Sequence, residues 1–68
     1  MDKLQKKAKE VGKLENQIET LCGNIVFNTY YIKNTKDYDK YIKKESVDEL
    51  LDVIHQFETA VKEFKNLL

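Results

Sequence analysis

The chain has 68 residues, in which twelve lysines and twelve acidic residues cancel to a net charge of zero, and it contains no arginine, proline or tryptophan. A chain this short forms one domain, residues 1–68, and hides only about 60% of the surface its unfolded form exposes, so its stability is marginal without a staple. Neutrality argues against a free-standing nucleic-acid binder, and no apolar run approaches the ~18 residues of a membrane span.

Two common staples are absent from the pattern. Cys22 has no internal disulfide partner, and no Cys/His spacing suggests a metal, so no cofactor is expected. The N-terminal lysines (Lys3, Lys6, Lys7, Lys9) have no apolar segment behind them, which speaks against a secretory signal, and a lone thiol fits a reducing, cytoplasmic setting. Lysine without arginine, beside many Asn, Ile and Tyr, points to AT-rich coding, as in a low-GC bacterium or its phage. The remaining routes to stability are regular helix packing and self-association.

From Met1 to about Cys22, Leu4, Val11, Ile18 and Ile25 recur every seven residues, with Leu14 and Leu21 between them. This is a heptad seam with Ala8 and Cys22 on its flank and Lys7 at one position where an apolar residue belongs. The intervening residues are polar helix formers. The stripe is narrow and suits one partner helix.

Residues 23–45 permit two readings. Gly23-Asn24 resembles a helix stop, and the β-branched and aromatic run Ile25–Ile32, a turn at 33–37 and Tyr38–Lys43 would make a β-hairpin at about 25–43, an α-β-β-α chain. Against this, the heptad continues through Gly23 to Ile25 and Ile32, and an isolated two-stranded hairpin is marginal in water. The helical reading is preferred: a long helix, a turn near 34–37 in which Asn34 or Asp37 caps a short helical turn, and a second long helix.

That second helix carries the clearest signals. Ser46-Val47-Asp48-Glu49 spells a capping box. Behind it Val47, Leu50, Ile54, Phe57, Val61, Phe64 and Leu68 step by three and four, and Val53, Ala60 and Leu67 form a second row, with Leu51 widening the other side. One narrow partner cannot cover so broad a face. Folding the helices antiparallel sets Ile32 near Val47, Ile25 near Ile54, Ile18 near Val61 and Val11 near Leu68, with the first ten residues projecting beyond. Overhang and broad face together predict a second subunit: an all-α antiparallel helical hairpin, assembling as a dimeric four-helix bundle. The expected self-association set is Leu4, Ala8, Val11, Leu14, Ile18, Val53, Phe57, Ala60, Phe64 and Leu67.

Catalytic chemistry finds little footing. His55 is the only histidine, and its carboxylate neighbours Asp52 and Glu58 make it a rim histidine rather than a ligand for a metal bridging two subunits. Cys22 lacks the electropositive surroundings of a nucleophile. No phosphate loop or opposed carboxylate pair stands out, so no enzyme is expected.

Charge is blocked rather than uniform. Residues 1–14 and 28–44 each carry +3, Glu15 and Glu19 −2, and residues 45–68 −4. The aromatic-basic segment 27–44 contains Phe27, Tyr30, Tyr31, Tyr38 and Tyr41 beside lysines that include Lys40. These rings suit the cap of a bundle, a protein-binding surface or a platform for single-stranded nucleic acid; missing arginine and overall neutrality disfavour the last. The basic N-terminal helix has no bulky aromatics to seat in a bilayer, so no membrane partner is expected. The expectation is a small oligomeric helical protein acting through another protein, as a regulator or inhibitor that a phage or mobile element could encode. A nucleic-acid module using 27–44 and a structural subunit of a larger assembly are the alternatives.

Overall fold

The computed structural model describes residues 2–68, with the side chains of residues 35 and 39 set aside. Two long helices, α1 (Lys3–Thr29) and α3 (Lys44–Leu67), lie antiparallel against each other, and a 3-10 turn (Thr35–Asp37) leads into the single-turn α2 (Tyr38–Tyr41) between them. No strand occurs among the described residues, so the β-hairpin at 25–43 is not formed.

Asp2 starts α1, its side-chain oxygen accepting from the Gln5 N–H at 2.7 Å. One of the four orphan amide donors is thereby satisfied. Gly23 does not stop the helix. Neither glycine has a positive φ, and a Cβ at Gly23 would meet nothing within 4 Å. Gly23→Ala is therefore expected to stabilise the fold by about 0.5–1 kcal/mol and raise the melting temperature by several degrees, as a thermal scan would read.

The helix ends instead at Thr29. Its hydroxyl donates to the Val26 carbonyl at 2.6 Å, and the amides of Tyr30, Tyr31 and Ile32 each reach back three residues, to Phe27, Asn28 and Thr29. These shorter steps tighten the last turn and close the helix. Ile32, expected at a heptad position on α1, thus falls outside it. In the turn, the Asn34 side chain accepts from the Lys36 N–H at 3.1 Å, while Asp37 precedes α2 without a side-chain cap bond.

The capping box does not cap. Lys43, extended at φ −86° and ψ 136°, is the N-cap of α3, and Ser46 lies inside the first turn with its amide bonded to the Lys43 carbonyl. Lys44 and Glu45 are good helix formers, so the helix begins ahead of the serine, and Glu45 becomes the acid at its positive end. Lys65 sits in the last turn, at the negative end of the helix dipole.

The register differs too. Lys7 pairs with Glu63, and Lys3 and Lys6 border the same surface as Leu67. The second helix is thus displaced by about one heptad from the sequence expectation, which brings the first ten residues alongside α3. The predicted overhang is absent because α1 stops at Thr29 and α3 starts at Lys44.

Candidate functional site

Burial inside the hairpin is slight. Leu14, Val53 and Ala60 are the buried apolar residues, with Val11, Ile18, Leu21 and Phe57 packed against them. Ala60, only 2% exposed, lets the two backbones approach closely. This turns α3 away from the expected orientation. Val53 and Ala60, expected to face another subunit, face α1. Ile54 and Val61, expected against α1, remain about 40% exposed.

The two long sides of the hairpin differ in chemistry. One side is a groove open to water, with Leu14 and Ala60 in its floor and Glu10, Lys13, Gln17, Gln56, Thr59 and Glu63 around them. The opposite side follows from helical spacing. On α3 it carries Leu50, Ile54, Phe57, Val61, Phe64 and Leu68; on α1 it carries Leu4, Val11, Ile18 and Cys22. Phe57, Phe64, Leu50, Val11 and Ile18 are half-buried, while Leu4, Ala8, Cys22, Leu67 and Leu68 are exposed. Of the expected self-association set, Leu14, Val53 and Ala60 are therefore already covered within one chain. The remaining apolar side forms a stripe along the molecule. Leu50, Ile54, Val61, Cys22 and Leu68 complete it and were missing from the expected set; the small size of Ala60 was the sequence signal that could have indicated which row faces α1.

Lys7 occupies the weak point of the seam. Its ammonium donates to Glu10 Oε2 at 2.8 Å and Glu63 Oε2 at 2.7 Å, fastening the N-terminal part of α1 to the end of α3. Hydrogen bonds to Glu10 and then Glu63 raise the Lys7 pKa above the ordinary value of 10.5. A raised lysine pKa means stabilisation that is complete below that value and lost as pH rises through the folded pKa. Lys7→Met should accordingly lower the melting temperature at pH 7–9, with the gap to wild type closing above pH 10.5. A gap unchanged at high pH would assign the effect to packing instead. Glu58 shifts the other way, lowered chiefly by its hydrogen bond to Lys62 at 3.0 Å.

At the turn end, three of the expected partner-binding residues form a ladder. Phe27 meets Tyr31 edge-on at 5.4 Å between ring centres, Tyr31 stacks on Tyr41 at 6.3 Å, and the Lys40 ammonium lies over the Tyr41 ring at 5.5 Å. Tyr30, 80% exposed, and Tyr38 stand out into solvent. Ile42 and Lys43 share a small cleft with Leu21, Asn24, Ile25 and Asn28, joining this end to the hairpin.

No family model matches the chain, and neither curated proteins nor solved structures provide a match. Function has to be read from the surfaces themselves. His55 lines the polar groove, but Asp52 bonds Gln56 at 3.0 Å and Glu58 bonds Lys62, so both carboxylates expected beside it are engaged elsewhere. No group of three or more His, Cys, Asp or Glu side chains is placed to hold a metal among the described residues. No helix is long and apolar enough to cross a membrane.

Proposed function

We propose that the chain is a protein-interaction module that works as a symmetric dimer, its apolar stripe closed by a second copy into a four-helix bundle, and that it acts by binding another protein. The observation that carries this reading is the continuous apolar side of the hairpin, left uncovered beside a core of three buried residues. Its dimensions support the occupant. The molecule is 50 Å long, so a stripe running along it offers a second hairpin an extended line of contact. Zero net charge removes long-range repulsion between two identical chains. A row of part-exposed apolar side chains along one side of a hairpin favours burial against a partner.

Sedimentation equilibrium at micromolar concentration tests the dimer. The expected mass is twice the 8.1 kDa of the chain, and a helical monomer across that range would overturn it. Regulation or inhibition of the bound protein is the form of action proposed.

A further inference from the structure

We infer that the aromatic end of the hairpin is a docking site for an acidic, apolar-anchored segment of a partner protein. This rests on the reading that the chain acts by binding protein, and not on the dimer, because all its residues come from one chain. The site combines two features at one place. Phe27, Tyr31 and Tyr41 form a pre-ordered ladder, and Val26, Phe27, Tyr30 and Tyr31 leave half or more of their surfaces exposed. In the same segment Lys33, Lys36, Lys40, Lys43 and Lys44 outweigh Asp37 and Asp39, giving residues 28–44 a charge of +3, and the Lys40 ammonium lies over the Tyr41 ring. Asp37 is half-buried, while all five lysines are exposed.

Exposed tyrosines on an ordered support bind with little further loss of side-chain freedom, and they recur where interfaces concentrate their energy. The exposed lysines of the segment supply attraction for carboxylates and speed encounter with an acidic surface. A single-stranded nucleic acid would use the same charge but needs open ring faces to stack on. Here Tyr31 and Tyr41 turn one face to each other, and Lys40 lies over the Tyr41 ring. Outside the ladder, Tyr30, Tyr38 and the aliphatic flank at Val26 remain exposed. That surface fits leucine or phenylalanine side chains with Asp or Glu beside them. No arginine is present to grip phosphates in two-pronged fashion.

The test titrates isotope-labelled protein with a short peptide of Asp, Glu, Leu and Phe and, separately, with oligothymidylate of equal charge, following amide shifts. The expected result is saturable binding of the peptide with shifts centred on residues 26–31 and 38–43. Tyr30→Ser and Phe27→Ala should each weaken it about tenfold or more, with the far-ultraviolet spectrum unchanged. Tyr30 serves as the safe variant because so little of it is packed. Shifts elsewhere, no saturable shift, or unaltered binding by both variants would overturn the inference. Tighter binding of oligothymidylate would replace it with the nucleic-acid reading. Sedimentation of the same samples separates the two proposals: a monomer that still binds the peptide breaks only the dimer, and a dimer that does not bind breaks only this site.

Discussion

Ala60→Asp is expected to abolish the folded hairpin, with loss of the helical signal at 222 nm at room temperature. Ala60 is the most covered residue of the chain and belongs to the three-residue core with Leu14 and Val53. A carboxylate there must give up the contact with Leu14 and Val53 and turn into the groove beside Lys13 and Thr59 before it meets water. Leaving a charge buried and unpaired costs roughly 3–5 kcal/mol. A domain of this size has about that much stability in total. Ala60→Leu makes a graded comparison. It adds volume where the helices touch and should cost about 1–3 kcal/mol by overpacking, leaving a folded but less stable protein. If Ala60→Asp melts within a few degrees of wild type, the close approach of α1 and α3 at this position is wrong.

The same residue marks the limit of what the sequence could tell. Periodicity identified both long helices, because an amphipathic stripe with spacing three and four survives any error in register. It also favoured continuing α1 through Gly23, since Ile25 keeps the phase of Leu4, Val11 and Ile18. Spacing alone could not decide which of two adjacent apolar rows on α3 meets α1. The unbroken row of Leu50, Ile54, Phe57, Val61 and Phe64 looked like the seam, yet two helices pack closest where side chains are small, and Ala60 with Val53 fills that role. Helix ends were harder still. Asp2 and Gln5 have the spacing of an N-cap signal and form one, whereas Ser46 and Glu49 have the same spacing and do not. The difference is the residues ahead of them: Lys44 and Glu45 extend the helix backwards past the serine. Register followed from these ends, and so did the fate of the N-terminal segment, which Lys7 ties down instead of leaving free. At the turn, the clustering of aromatics was visible as composition, but ring-to-ring order depends on α2 returning Tyr41 to Tyr31, which no local pattern encodes.

The second large effect concerns the uncovered stripe. Ile54→Lys combined with Val61→Lys should convert the proposed dimer into a monomer while leaving most of the helix content in place. Both side chains are about 40% exposed in the single hairpin, so lysine can occupy either position with its ammonium in water and its stem along the surface. Covering the rest of each side chain is worth roughly 1 kcal/mol by area, and a two-fold interface uses each position twice. The four substituted sites together then weaken association by about 4 kcal/mol, near a thousandfold, before any repulsion between the new charges. Sedimentation would read this as a fall to the mass of one chain at concentrations where wild type remains paired, and circular dichroism would show the helices persisting. The contrast with Val53→Lys isolates the cause. Val53 lies inside the hairpin, so that variant should lose helix as well as mass. Were the double variant to stay dimeric, the stripe would not be the interface; were it to unfold like Val53→Lys, Ile54 and Val61 would belong to the core, contrary to their exposure.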